Sequence, residues 1–553
     1  MSTPQFGNHL VDRFPGERSQ VCAMVRHETR DHLTARERMR RQDVQLLTLA
    51  KQGDRDALCE LGQRYLLGTD GFSQYIDLGL KYLSHPSLAD SELSARIIAD
   101  ALPLSELVRR SLVVVLASAA NGGATSARLK LGFWRALTHR EVDSAHRLWR
   151  QASADGCQHA AAAMNALSGG KDDSMKVAMS TLASLPEIDA SGTMTQALSS
   201  AVKSGDLDIA ARVMEYAVSM EVEQTPELCD AVCIALVATQ NQRMTLPQMD
   251  SGRLQSMLED CVKRGNSSAA LVLGRALCGI DSVFAWSASL TPKRNVRGGT
   301  ALLFRAADAG IEEAWLLLYR VHAYGQGSVA NPQAARFFLE KAASSGDPCA
   351  QRQLGASILK SALDIEAFEA GMHWMTLAAN QGDAIARKLL GTFVLPIRGE
   401  KQRAFEAIDT IARLDPGVAH RLRIARDFGL TRTEAICVDV ASGSRPWGFV
   451  VSKDAADERL RSRFSRAIPA LEARFLDHVR EAAEFFRQTG ESGSVTRGDR
   501  RLREHRLKYV LELCDFDESL FFAQVPTATI ATLRQGASWA HSVKKTLRTA
   551  LAN

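Results

Sequence analysis

A spaced pattern, Gly-x-x-x-Ala-x-x-x-Leu-Gly, returns along most of this chain and constrains its fold more than any other feature. It reads as Gly53, Ala57, Leu61, Gly62, then Gly123, Ala127, Leu131, Gly132, then Gly265, Ala269, Leu273, Gly274. Two further copies are Gly346, Ala350, Leu354, Gly355 and Gly382, Ala386, Leu390, Gly391, with looser ones at Gly156, Ala160, Met164 and Gly310, Ala314, Leu318. The starts at 310, 346 and 382 step by 36 residues. A fixed period of this size marks a stack of supersecondary units. Such a stack escapes the size limit of a single core, which a chain of 553 residues would exceed.

The unit is clearest from Gly310 to Gly346. Ala314, Leu317, Leu318 and Val321 recur at spacings of three and four, one face of a helix. Gly325-Gln326-Gly327 breaks that helix. Asn331 suits an N-cap and Pro332 the first turn of a second helix, which places Phe337, Phe338 and Ala342 on its apolar face. Ser344-Ser345-Gly346 closes the helix, because glycine accepts positive φ without a Cβ clash. Four residues before each unit's first glycine stand Leu49, Ala119, Ala152, Ala306, Ala342 and Ala378, a column suited to tight helix packing. Eight before it stand Leu148, Leu302, Phe338 and Trp374, bulky knobs for the interior. The expected fold class is all-α: an α-solenoid of antiparallel helix pairs with a small, mixed C-terminal cap.

These columns, Tyr65 followed by Gly68, Tyr324-Gly325-Gln326-Gly327, and the blocks Ala334–Gly346 and Ala370–Gly382 resemble the Sel1-like repeats, relatives of the tetratricopeptide repeat. The resemblance is best over 45–165 and 300–395 and degenerate over 165–260; copies near Gly205 and Gly417 are eroded, and the step swells to 45 between 265 and 310. It implies an adaptor, often in bacterial signalling or envelope assembly, without shared catalytic residues. Arginine outnumbers lysine 52 to 16, a bias associated with GC-rich bacterial genomes.

No stretch of about 18 uncharged apolar residues occurs, so no transmembrane helix is expected. The first ten residues lack a basic start and an apolar core, so no secretory signal is expected. The ten cysteines are scattered without Cys-x-x-Cys; Cys229 and Cys233 lie one helical turn apart with no second pair of ligands nearby. Buried, reduced thiols and a cytoplasmic protein are expected. No phosphate-binding, dinucleotide-binding, nucleophile-elbow or zinc-protease motif is present, so no cofactor and no metal are expected. A net charge of +5 is small for this length and does not by itself indicate nucleic-acid binding.

Three regions follow. Residues 1–41 read as a flexible, Arg-rich arm leading into a helix near Ala35–Arg41. Residues 42–425 form the repeat region, interrupted by a loop at 168–173 and an insertion at 285–299. Residues 430–553 are a cap or accessory module: Ile436–Val440 and Trp447–Val451 pair as a hairpin, a helix runs from about Ala455 to Thr489, a linker starts at Gly490, and Pro526 opens a later helix. Trp447 is placed to anchor this module on the last repeats.

Two residue groups are candidate sites. Tyr319, Arg320, His322 and Tyr324 share a first helix and cannot all face the core, and Tyr and Arg are enriched at binding hot spots. Arg497, Arg500, Arg501, Arg503, Arg506 and Lys508, against Asp499 and Glu504, make the densest basic cluster, which reads either as a solvated helix face or as a patch for nucleic acid or an acidic partner. The function expected is a non-catalytic scaffold binding protein partners. A nucleic-acid-associated factor using the basic cluster is the alternative. An enzyme with an active 430–553 module, involving His478 or His505, is the third reading.

Overall fold

The computed structural model describes residues 41–138, 142–168, 174–242, 244–280, 290–325, 330–451, 465–490 and 497–552. The N-terminal arm, the 169–173 loop, the start of the insertion, Gln326-Gly327 and most of the Gly490 linker lie outside them. The chain divides into two compact units, Met1–Ala276 with Asp281–Lys293, and Leu277–Ile280 with Arg294–Asn553. Both are all-α and built from stacked helical hairpins, with one small sheet among the described residues, in the second unit.

The repeating glycine is a helix stop. Gly53, Gly123, Gly156, Gly205, Gly265, Gly310, Gly346 and Gly382 all have φ between +76° and +101°. At each, the glycine N–H donates to the carbonyl three residues back and the next N–H to the carbonyl five back: Gly346 to Ala343 (3.2 Å) and Asp347 to Ala342 (3.2 Å), for example. This is a Schellman ending, and it satisfies carbonyls the helix leaves orphaned. The alanine column therefore has a second use, because it supplies the carbonyl of the longer bond. Ala119, Ala152, Ala306, Ala342 and Ala378 are also fully buried, whereas Leu49 is 46% exposed.

The residue after the glycine often starts the next helix. Asp54, Asp206, Asn266, Asp347 and Asp383 each accept a hydrogen bond from the backbone N–H three residues on, which in four of the five is the column alanine (Ala57, Ala269, Ala350, Ala386). Gly205 keeps this junction, so the eroded stretch retains the turn where its side-chain columns have drifted. Gly417 does not; it sits inside helix Pro416–Phe428, behind an Asp415 cap.

The second glycine of the pattern sets helix spacing. A Cβ on Gly355 would lie 3.0 Å from the Gly371 carbonyl and 2.9 Å from the Met375 N, so helices Pro348–Ser361 and Ile365–Asn380 cross backbone to backbone. Gly62 and Gly79 make the same crossing in the first repeat. At Gly132 the space is filled by the Trp149 indole, 2.3 Å from where a Cβ would stand.

Unit by unit, the 310–346 repeat has the expected form: helices Glu313–Tyr324 and Pro332–Ser344, with Asn331 capping Gln333 and Ala334. Phe338 is buried, but Phe337 is 48% exposed, so the apolar face is narrower than the sequence suggests. Gly298 and Gly299 are not loop residues either; Asn295 caps a helix Val296–Asp308 that contains them.

In the C-terminal part, two expectations are corrected. Ile436 belongs to a helix, Arg432–Cys437, because Thr431 and Glu434 form a capping box at its start. Val440–Gly443 is a further helical turn capped by Asp439. The sheet is instead β1 Ser444–Arg445, β2 Gly448–Val451 and β3 Arg466–Pro469, antiparallel in that order, with Phe449 opposite Ile468. Of the helix expected from about Ala455 to Thr489, 455–464 lie outside the described residues, Arg466–Pro469 is β3, and Ala473–Gln488 is helical. Trp447 is buried in a core with Phe368, Met372 and Phe393, so the module and the last repeats share one interior.

Two devices close that interior. Arg466, fully buried, pairs with the fully buried Glu434 at 3.0 and 3.3 Å, and donates to the carbonyls of Phe393 (2.7 Å) and Gly429 (3.2 Å). Glu434 also accepts from Thr431. Downstream, Trp539 stacks on Phe393 (4.8 Å) and donates to Thr392 Oγ1, while the Gly536 N–H donates to the Ala362 carbonyl.

Candidate partner-binding surfaces

The first expected site is occupied by the chain itself. Tyr324 Oη donates to the Leu551 carbonyl (2.8 Å), and Arg352 donates to that of Ala550 while pairing with Asp383 (2.5 Å). Helix Lys544–Ala552 thus ends on side chains of the repeats. Tyr319 meets Tyr324 edge-on at 6.2 Å, and burial together with that neighbour pushes its hydroxyl up. His322 lies against Phe338 at 5.2 Å, and the Arg320 guanidinium reaches Cys349. The four residues are brought together, with Tyr324 still 60% exposed, but their polar groups already serve internal contacts.

The basic cluster is divided. On helix Arg497–Cys514, Arg503 donates to the Ile436 and Val438 carbonyls and Arg506 pairs with Asp415. Lys508 pairs with Glu512 on its own helix (3.6 Å), and the Arg497 side chain lies outside the described residues. Arg501 is exposed and Arg500 half-buried near Cys437, whose thiol burial pushes up. Arg503 and Arg506, joined by Arg421, line a small recess of about 30 Å³ together with the apolar Val418, Leu422 and Ile436. Arg421 itself lies 4.4 Å over the Phe486 ring.

His478 and His505 do not converge. His478 Nδ1 is 2.7 Å from Asp427 Oδ2, whose carboxyl is raised by burial and drawn back by the imidazole. The pair fastens helix Ala473–Gln488 to Pro416–Phe428, while His505 is exposed.

Sequence reasoning missed two features. One is sulfur: Cys261 joins the Cys229–Cys233 turn, where a thiol–thiol hydrogen bond holds Cys229 below the ordinary thiol value and Cys261 above it, while burial drives Cys233 up to about 12. Among the described residues no group of three or more His, Cys, Asp or Glu could hold a metal ion. The other is a groove between helices Arg55–Leu67 and Glu92–Ala101, about 1130 Å³ with its open mouth. Its apolar side chains include Leu67 and Leu93, 45% and 54% exposed, and its polar ones include Asp56, Glu60, Arg96 and Asp100. The signal was present as Leu93 off the helical face of Ile98 and Ala95, but only the neighbouring helix makes it a groove.

The units bearing these surfaces combine paired antiparallel helices with the glycine, alanine and Leu-Gly columns. These are the columns that resemble the Sel1-like repeats. No family model and no curated protein matches the sequence. Among solved structures, the chain is similar to a protective antigen present in uropathogenic Escherichia coli strains that displays an SLR fold, at 16% identity over 91% of this chain and 97% of that one, with a TM-score of 0.29. It is also similar to a Sel1 repeat protein from Oxalobacter formigenes, at 16% identity over 65% of this chain and 92% of that one, with a TM-score of 0.22. No described helix of this chain is long and apolar enough to cross a membrane.

Proposed function

We propose that this chain is a non-catalytic scaffold that binds protein partners on the outer faces of its Sel1-like repeats. The observation that carries the reading is the open groove beside Leu67 and Leu93. Two large leucines left in water on one concave surface are what a partner would cover. The dispersal of the basic cluster supports protein over nucleic acid, because two of its six cations are turned onto carbonyls and Asp415. Cytoplasmic residence, a boundary near 425–430 and a partner contact at Tyr319, Arg320, His322 and Tyr324 belong to the same proposal.

The test is affinity capture of the tagged full-length protein from its own cells at moderate and high salt, with mass spectrometry and an absorbance ratio on the eluate. A defined protein partner that survives high salt is the expected result. Nucleic acid that copurifies at moderate salt and vanishes at high salt would instead return the argument to Arg500 and Arg501.

A further inference from the structure

We propose that the groove between Arg55–Leu67 and Glu92–Ala101 receives an amphipathic helix with basic flanks. The inference rests on the scaffold reading and names the chemistry of the partner. Between the two helices the trough is lined by Cys59 and Ile97, which are more covered, and by Leu67 and Leu93, which are exposed. An inserted helix would meet such a trough with aliphatic anchors at i, i+3 or i+4, and i+7.

Charge selects among such helices. Three carboxylates, Asp56, Glu60 and Asp100, line the trough against one cation, Arg96, which is 3.6 Å from Asp100. Glu60 is bonded to Arg64 on its own helix at 2.5 Å, so its charge is shared but stays on the rim. An occupant with lysine or arginine beside its anchors meets complementary potential, and an acidic one meets like charge.

The probes are two fluorescent helical peptides with the same leucine pattern, one flanked by lysines and one by glutamates, titrated into the full-length protein. The lysine peptide is expected to bind at least tenfold tighter than the glutamate one, with the gap narrowing as salt rises. In the double variant Leu67→Asp, Leu93→Asp, that binding is expected to fall at least tenfold while the far-UV melting curve is unchanged, since both side chains are already largely in water. Equal binding of the two peptides, or full binding by the double variant, overturns the proposal. A dimer that the same two substitutions dissociate overturns it too, by giving the groove to a second copy. Capture from cells separates this from the scaffold reading: a partner held equally by wild type and double variant removes the groove and leaves the scaffold.

Discussion

The repeats between 310 and 391 and the module from 430 to 552 are both mostly helical, yet they are held together differently. In the repeats, the backbone bonds at each glycine stop span no more than five positions, and consecutive helices touch at small-residue columns. In the module, the decisive contacts join distant positions: Arg466 to Glu434 and Phe393, Trp539 to Thr392, and Arg445 to Glu369 at 2.7 Å. The first kind of order is written locally and repeats. The second exists only once the chain has come together.

The largest test of that contrast is Arg466→Met. It leaves Glu434 charged, buried and without its guanidinium partner, and should cost about 3–5 kcal/mol. The loss should appear by denaturant titration as one cooperative shift of the second unit. Adding Glu434→Leu should recover much of it; no recovery would mean the pair is needed for more than charge balance.

Lys130 tests whether the repeats hide a similar dependence. This fully buried lysine donates to the Ala99 and Leu102 carbonyls at 2.6 and 2.9 Å, where helix Glu92–Ala101 ends. Lys130→Met orphans both and should cost about 1–3 kcal/mol. Burial lowers the lysine below its ordinary 10.5. A base with a lowered folded value binds fewer protons folded than unfolded between that value and 10.5. Wild type should therefore gain stability relative to Lys130→Met as pH rises through this window, and a gap that is flat with pH would contradict the assignment.

Gly346→Ala should be smaller, about 1–2 kcal/mol, because the methyl meets only its own backbone at φ +101°. Hydrogen exchange should place the loss at the Ala342–Asp347 turn. Smallest of all, Leu93→Asp should change stability by less than about 0.5 kcal/mol, as expected of an exposed side chain.

These differences explain what the sequence could reveal. The 310–346 unit was legible to its caps, since Asn331, Pro332 and Gly346 act through bonds of two to five residues. Ile436 misled because its β-branched neighbours speak for a strand, while the Thr431–Glu434 capping box, equally local, speaks for a helix and wins. Arg466 had no sequence signal: it follows Arg459, Arg461 and Arg463 as one arginine among several, and burial singles it out. The candidate surfaces were legible as residue types only. Tyr324, one of four side chains that cannot all face the core, is 60% exposed, but its bond to Leu551 spans the repeat-to-module distance and has no trace in spacing.

The glycine junction also bears on how such a gene can change. At Gly346 and Gly382 the Schellman bonds and the Asp cap lie between the column alanine before the glycine and the one after it. A duplication running from one glycine codon to the next, as from 346 to 382, would insert a unit with both of its turns already complete. The repeat region can thus lengthen or shorten in whole units, whereas residues 430–552 must be inherited as one piece.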